Sequence, residues 1–219
     1  MIVPAYDEAR VIEITLKEVL QRFRSVVVVD DCSHDATGTL ALKAGAHVVR
    51  HPVHLGQGAA LVTGIVYALR KGASYVVTFD ADGQHAADDA LSMFELIMRS
   101  GCDVVLGSRF IGQSIDLPRS RRILLRVALL FTRTTTGLAL TDTHNGLRVF
   151  TADAARAIVI RQNGMAHASE ILSQIAALGL SYREAPCTIR YTDYSRAKGQ
   201  RLSGALAILA ALLAGRLYR

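Results

Sequence analysis

The first 107 residues alternate short apolar runs with segments of helical periodicity. Apolar, largely β-branched runs of the kind found in buried strands occupy residues 2–4, 26–29, 46–49, 75–79 and 104–107. Helical periodicity separates them at residues 9–23, 35–44, 58–71 and 88–99, and Gly45, Gly72 and Gly101 end three of these segments. Strands that alternate with helices in this way predict a mostly parallel α/β sheet flanked by helices, with right-handed crossovers.

The second half of the chain is less regular. Residues 120–136 are apolar with interspersed arginines, 141–151 are turn-rich and then strand-like, 166–178 are helical, and 181–191 are extended. Residues 202–217 predict an apolar helix whose 14-residue stretch 202–215 spans about 21 Å, too short for the ~30 Å hydrocarbon core of a bilayer. We expect this helix either to pack in the core or to lie at a membrane interface or subunit contact, which leaves a homo-oligomer open. With no repeat or linker in the sequence, we expect one domain, residues 1–219, with a donor half at 1–109 and an acceptor half at 110–219.

Charge is distributed unevenly between the two halves. Residues 1–103 carry 13 acids and 9 bases, whereas residues 104–219 carry 6 acids and 16 bases. An acidic half suits a bound cation, and a basic half suits phosphate, nucleic acid or an anionic membrane face. No recognised nucleic-acid-binding motif accompanies the charge and Trp is absent, so nucleic acid is not an expected partner.

Composition also bears on the compartment. No window reaches the ~18 consecutive apolar residues of a membrane-spanning helix, and no secretory signal is recognised. Cys32, Cys102 and Cys187 are far apart in sequence and odd in number, a pattern typical of reduced thiols. We therefore expect a cytoplasmic protein, either in solution or peripheral on the cytoplasmic face of a membrane.

Acidic residues follow three of the predicted strands. They are Asp7 and Glu8 after the first strand, Asp30 and Asp31 at the end of the second, and Asp80 and Asp82 after the fourth. Ligands of open α/β sheets bind at the carboxyl ends of the strands, so these residues are expected to share one site.

The Asp80-Ala81-Asp82 triplet carries the strongest chemical signal. Two carboxylates one residue apart, directly after a strand, can face a single cation, and Mg²⁺ or Mn²⁺ prefers such oxygen ligands. Gln84 can supply a further oxygen, and Gly83 allows a tight turn. A diphosphate leaving group needs such a cation to neutralise its developing charge. The same residues also occur as a solvated acidic turn, which is the alternative.

Each of the other candidate site residues has a structural role as an equally good alternative to ligand binding. Asp31 can accept a hydrogen bond from a nucleobase or cap the following helix, and Glu8 can be a ligand or a first-turn acid. Gly56, Gly58 and Gly64 would let backbone approach a ligand, but their spacing is not the dinucleotide-binding fingerprint.

Together these segments resemble family 2 glycosyltransferases of the GT-A fold, and in particular the dolichol- or polyprenyl-phosphate mannosyltransferase and glucosyltransferase branch. The resemblance is carried by VPAYDE at 3–8, VVDDCS at 28–33, HLGQGA at 54–59, FDADGQH at 79–85, GSR at 107–109 and NGLRVF at 145–150. It implies inverting transfer of a hexose from a GDP- or UDP-sugar to a polyprenyl or dolichyl phosphate, assisted by Mg²⁺ or Mn²⁺.

The resemblance also implies roles for individual residues. The nucleoside pocket would comprise Pro4, Tyr6, Glu8, Val29 and Asp31. The diphosphate and metal would be bound by Asp80, Ala81, Asp82 and Gln84, with Asp80, Asp82 and Gln84 as the metal ligands and Asp82 as a catalytic residue. The acceptor phosphate would meet cations of the basic half, which are Arg109, Arg122, Arg148 and Lys198, with Arg109 also catalytic and Arg196 as second choice to Lys198.

The chain departs from the family at several positions. Asp7, Cys32 and His54 stand where the family usually has Asn, Gly and Asn. The Glu-Asp pair and Gln-x-x-Arg-Trp motif of members with sugar acceptors are absent. A lipid phosphate is already an anionic nucleophile and needs no base, so this absence favours a lipid-phosphate acceptor. If a base is used, Glu170 and Asp142 are the candidates.

Three other functions remain as alternatives. The acceptor could be a cell-envelope glycan, or the chain could be an inactive nucleotide-sugar binding module. The intact Asp80 and Asp82 pair argues against the module. A sugar-phosphate nucleotidyltransferase would need an arginine-bearing glycine-rich loop after the first strand, and residues 6–9 do not supply one.

Overall fold

A computed structural model describes residues 1–143, 145–192 and 194, and in these residues seven strands form one sheet. The strands are β1 (Ile2–Ala5), β2 (Val27–Asp30), β3 (His47–Arg50), β4 (Tyr75–Thr78), β5 (Val104–Ile115), β6 (Arg148–Thr151) and β7 (Tyr182–Arg190). The helices are α1 (Ile12–Arg22), α2 (Thr37–Lys43), α3 (Gln57–Arg70), α4 (Ala87–Ser100), α5 (Arg119–Thr136), α6 (Ala152–Ala157) and α7 (His167–Ala177).

The sheet is mostly parallel, as predicted, with strand order β3-β2-β1-β4-β6-β5-β7. The strands β1 to β4 pair in parallel, but β6 inserts antiparallel between β4 and β5. The strand β5 is also longer than the predicted 104–107, because its second half continues to pair with β7 after a register shift between Ser108 and Gln113. The structure therefore extends the predicted sheet by one antiparallel strand and a long edge pair.

Both faces of the sheet are buried, which explains why its strands are continuous apolar runs rather than alternating ones. On β2, Val28 packs into one core cluster, and Val27 and Val29 pack into the other. Apolar residues of α1 and α4 cover the first face, and those of α3, α6 and α7 cover the second.

The glycines around α3 have a packing role. A Cβ on Gly64 would overlap the side chain of Ile2, and one on Gly58 would overlap the carbonyl oxygen of Gln162. The expectation that these glycines serve ligand approach is therefore wrong for Gly58 and Gly64, because chain segments already fill the space. Close packing of α3 fixes the position of Gln57, its first residue, at the sheet edge.

Several sequence predictions concern the C-terminal region. The apolar helix at 202–217, Arg196 and Lys198 all lie outside the residues that the structure describes. Within the described residues, no helix combines the length and hydropathy that a membrane crossing requires. The thiols of Cys32, Cys102 and Cys187 are free, as predicted.

Candidate active site

A cavity of about 460 Å³ lies at the carboxyl ends of β1, β2 and β4. Nine of the site residues predicted from the sequence line it: Pro4, Tyr6, Glu8, Asp31, Asp80, Ala81, Asp82, Gln84 and Arg109. Further lining residues, not predicted as site residues from the sequence, include His54, Gln57, His85, Gly146 and Met165. The strand ends thus bring the three acidic clusters to one cavity, as expected for an open α/β sheet.

Aromatic rings line the cavity. The rings of Tyr6 and His54 lie 4.1 Å apart between centroids at an interplanar angle of 44°. The Tyr6 hydroxyl lies 3.3 Å from Nδ1 of His34. Aromatic faces of this kind can support a planar nucleobase. His54, noted in the sequence only as a departure from the family, therefore becomes a candidate nucleoside contact.

Asp31 is fully engaged within the chain. Its Oδ1 accepts hydrogen bonds from His51 and from the backbone of Leu55, and its Oδ2 accepts one from the backbone of Gly56 and pairs with His54. Although burial tends to raise the pKa of Asp31, these hydrogen bonds outweigh it and the pKa is lowered. A carboxylate has about four lone-pair positions. A nucleobase could be bound only in exchange for one of these partners, so Asp31 primarily organises the loop before α3.

Asp80 and Asp82 face the cavity with fewer partners. Asp80 accepts a hydrogen bond from the side chain of Gln57 at 2.9 Å and lies 3.3 Å from Nε2 of His85. Asp82 accepts one from the backbone of Gln84 at 3.0 Å. A Cβ at Gly146 would overlap the Asp80 carboxylate, so glycine there allows the carboxylate its position.

The electrostatics of the pair fit a divalent cation. Burial, and then the negative charge of Asp80, raise the pKa of Asp82 to about 6. Burial acts in the same direction on Asp80, but its hydrogen bond with His85 and the charges of His85, His167 and Arg148 lower its pKa overall. A second negative charge is therefore disfavoured here unless a cation balances it. Asp80, Asp82 and Gln84 all line the cavity and could supply oxygen ligands of the kind that Mg²⁺ or Mn²⁺ prefers.

His85 is a site residue that sequence reasoning missed. Its side chain is only 2% exposed, and the buried Nδ1 has no hydrogen-bond partner among the described residues. Its Nε2 faces Asp80. The clue in the sequence was its position, three residues after Asp82 in the same turn.

Arg109 lines the cavity as part of a buried ion pair. Its Nε donates to Asp142 at 2.6 Å, and its Nη1 donates to the Tyr191 hydroxyl at 2.6 Å. Burial tends to lower the pKa of Arg109, but the charge of Asp142 outweighs this and raises it. Asp142 is 1% exposed in this pair, so it is not placed to act as a general base. The guanidinium of Arg109 serves first to stabilise the cavity wall.

Family assignment follows from a match over most of the chain. Residues 1–159 match the family model described as glycosyl transferase family 2. The chain belongs to glycosyltransferase family 2. The family resemblance is thus confirmed, and a nucleotidyltransferase is ruled out.

Curated relatives cover nearly the full chain. An undecaprenyl-phosphate mannosyltransferase of Micrococcus luteus is 31% identical over 90% of this chain and 85% of its own length. A UDP-N-acetylglucosamine–dolichyl-phosphate N-acetylglucosaminyltransferase of Methanococcus voltae is 28% identical over 91% of this chain and 88% of its own. The chain is therefore a glycosyltransferase similar to enzymes named for lipid-phosphate acceptors.

The fold is shared with solved glycosyltransferases. Glucosyl-3-phosphoglycerate synthase of Mycobacterium tuberculosis, crystallised with Mn²⁺ and UDP-glucose, superposes with a TM-score of 0.74 over 99% of this chain and 77% of that one. At 18% sequence identity this likeness concerns the fold, and the GT-A fold implied by the sequence is confirmed.

Four residues predicted for the site of this glycosyltransferase do not line the cavity. Val29 is buried in the core because its side chain points to the α3 face of the sheet. Arg148 is buried and donates to the carbonyl oxygens of Asn145 and Ala168, and burial lowers its pKa to about 10. Glu170 accepts hydrogen bonds from the backbone of residues 161 and 162. Arg122 lies exposed on α5.

Tyr194 adds a long-range contact to a residue that lines the cavity of this glycosyltransferase. Its hydroxyl donates to Oε2 of Glu8 at 2.7 Å, and Arg10 lies over its ring at 5.2 Å. The side chain of Glu8 is thereby held from the far end of the described chain. The two residues are 186 positions apart, and no local sequence pattern signals such a contact.

Proposed function

We propose that this glycosyltransferase transfers a hexosyl group from a GDP- or UDP-sugar to a polyprenyl phosphate, with Mg²⁺ or Mn²⁺ on the donor diphosphate. The observation that carries the proposal is the single cavity that combines the Tyr6 and His54 rings with the Asp80 and Asp82 carboxylates. That combination suits a nucleoside against the rings and a metal-bound diphosphate at the carboxylates. The lipid-phosphate acceptors named for two relatives support the choice of acceptor.

The metal ligands in this proposal are Asp80, Asp82 and the side chain of Gln84. When bound, the metal would neutralise negative charge on the departing diphosphate. Gln57 and His85 each contact a different oxygen of the Asp80 carboxylate, so its position is fixed before any ligand enters. Such supporting partners matter for affinity, since their loss commonly costs ~10–100-fold in metal binding or activity.

The carboxylates of the cavity support an acceptor that needs no base. Among the described residues, four acids line the cavity. Asp31 is saturated, Glu8 is bonded to Tyr194, and Asp80 and Asp82 are the proposed metal ligands. A phosphate oxygen of the acceptor can form its bond to the anomeric carbon as the bond to the nucleoside diphosphate breaks, without giving up a proton. An alcohol acceptor would need a proton acceptor that these residues do not offer.

We infer in addition that residues 1–219 work as one domain at the cytoplasmic face of a membrane, where a polyprenyl phosphate presents its head group. The marked excess of basic residues in the second half supports contact with an anionic surface.

A panel of radiolabelled UDP- and GDP-hexoses tests the proposal. Each donor is offered with and without a short-chain polyprenyl phosphate, in Mn²⁺ or in EDTA, to the wild type and to Asp82→Asn. We expect label in the organic phase only with lipid phosphate, metal and wild-type enzyme. Label in a glycan acceptor would instead support the envelope-glycan alternative, and donor binding without any transfer would support the inactive binding module.

A further inference from the structure

Helix α5 presents apolar side chains on two opposite faces. Leu125, Ala128 and Thr132 are buried against the protein. Ile123, Val127 and Leu130 are 65%, 51% and 64% exposed. At 3.6 residues per turn, these three lie within about 60° of one another and roughly opposite Leu125. The outer face of α5 is therefore an apolar stripe that the described part of the chain leaves uncovered.

This stripe is unusual within the molecule. In the described residues, α1 and α4 each expose a single large apolar side chain to a similar degree, which is Ile14 at 66% and Met98 at 53%. Isolated exposed apolar residues of that kind are normal, whereas a grouped set marks an interaction surface.

A row of arginines runs along one flank of the stripe. Arg119, Arg122, Arg126 and Arg133 are exposed residues of α5 and fall on the same side of the helix at about 100° per residue. No acidic residue lies between Asp116 and Asp142 in the sequence. A helix with an apolar stripe and a purely cationic flank has the pattern of helices that lie in a membrane interface.

Helix α5 follows, along the chain, a strand that contributes to the cavity. Arg109 lines the cavity on β5, which runs on to Ile115, and α5 begins at Arg119. The connecting part of β5 also exposes Phe110, Ile111 and Ile115.

We propose that the exposed face of α5, defined by Ile123, Val127, Leu130 and Arg126, docks on an anionic lipid bilayer. The arginines select an anionic surface, and the stripe enters the boundary between head groups and acyl chains. Its biological purpose rests on the proposed lipid-phosphate acceptor, because a docked enzyme lies on the membrane that holds such an acceptor.

Sedimentation of the full chain with vesicles tests this surface. Wild type is expected to pellet with phosphatidylglycerol vesicles and to stay in the supernatant with phosphatidylcholine vesicles. Val127→Ser/Leu130→Ser should weaken partition at least about tenfold. Arg126→Gln should weaken partition onto these vesicles roughly fivefold at low salt, and by a smaller factor at high salt. The matched controls, Ile14→Ser on α1 and Arg99→Gln on α4, should bind as wild type.

Other outcomes separate the possible explanations. Equal vesicle binding by wild type and the stripe variant would overturn the proposal. A wild type that dimerises in ultracentrifugation, with a monomeric stripe variant and no vesicle binding, would overturn it in favour of a subunit contact. Turnover measurements separate a failure of the docking surface from a failure of the proposed function. With a water-soluble short-chain acceptor, the stripe variant should keep wild-type turnover. A wild type that binds vesicles but glycosylates no lipid phosphate would refute the function and leave the surface standing.

Discussion

The carboxylates after β2 and those after β4 lie at the same edge of the sheet, but they differ in how they are partnered. Asp31 is 2% exposed and uses both oxygens to hold a histidine and the backbone of the loop before α3. Asp82 has a single hydrogen bond recorded among the described residues, from Gln84, and a pKa raised to about 6. Both clusters are pairs of acids in the sequence. Only the cluster after β4 has carboxylate oxygens left for a ligand.

This difference separates a structural acid from a ligand-binding acid by a physical criterion. Hydrogen bonds within the chain stabilise the charge of Asp31, so the folded protein itself supplies the groups that balance this charge. The negative charge of Asp82 is disfavoured by burial and by Asp80, so the positive charge that balances it must come from outside the chain. Stability should therefore respond to changes at Asp31, and metal binding should respond to changes around Asp80 and Asp82.

The largest effect is expected from Asp82→Asn. Removing a proposed ligand charge should lower Mn²⁺ affinity and turnover by at least ~100-fold, since loss of a supporting residue alone costs ~10–100-fold. The melting temperature without metal should not fall, because repulsion from Asp80 is relieved. Calorimetric titration and thermal melts measure both, with the exposed Asp153→Asn as control. Wild-type metal affinity in the variant would remove Asp82 from the metal site.

Asp31→Asn should show the opposite pattern. The amide would place donors against backbone N–H groups of a buried site, so we expect the free energy of unfolding to fall by about 3 kcal/mol. Mn²⁺ affinity of the folded protein should change by less than about threefold, since Asp31 is outside the proposed ligand set. Urea unfolding and metal titration at low temperature check these values. A variant as stable as wild type that has lost metal binding would contradict the contrast between the two clusters.

Gly146→Ala tests the same comparison by changing a backbone position next to Asp80. The added methyl group would overlap the Asp80 carboxylate and displace it. We expect Mn²⁺ affinity to fall by roughly 10–100-fold, as for loss of a supporting residue. Gly164→Ala is the matched control, since Gly164 also lines the cavity and a Cβ there meets no atom within 4 Å. Equal affinities in the two variants would show that the position of Asp80 is not limiting.

The difference between these clusters could not be predicted from the sequence, although their location could. Continuous apolar runs separated by helical patterns, with acids after the runs, were enough to predict β1 to β4 and to bring the acids to one edge. The partners of Asp31 come from residues 51–56, beyond the next strand, and a loop conformation is not encoded in local periodicity.

Contacts between residues far apart in the sequence also limited what could be predicted for the basic half, residues 104–219. The antiparallel β6 is four residues long, and nothing in the sequence indicates that it separates β4 from β5. Arg109 read alone suggests an anion contact, but its partner Asp142 is 33 residues away and both are buried. A buried arginine needs a counter-charge, and only the fold identifies which acid supplies it.

The smallest expected effect is a pH dependence of metal binding that isolates Asp82. Because its pKa is raised to about 6, the metal-free protein carries a proton on Asp82 below that pH, and a cation must displace it. The apparent dissociation constant for Mn²⁺ should therefore rise about tenfold from pH 7 to pH 5, whereas a carboxyl of ordinary pKa near 3.9 would change it little. Calorimetry in buffers of different ionisation enthalpy should detect about one proton released at pH 5 and almost none at pH 7. Any contribution from histidines would persist in Asp82→Asn, so the proton release lost in that variant belongs to Asp82. An affinity that does not change across this range would mean that the two carboxylates do not oppose each other's charge as their burial implies.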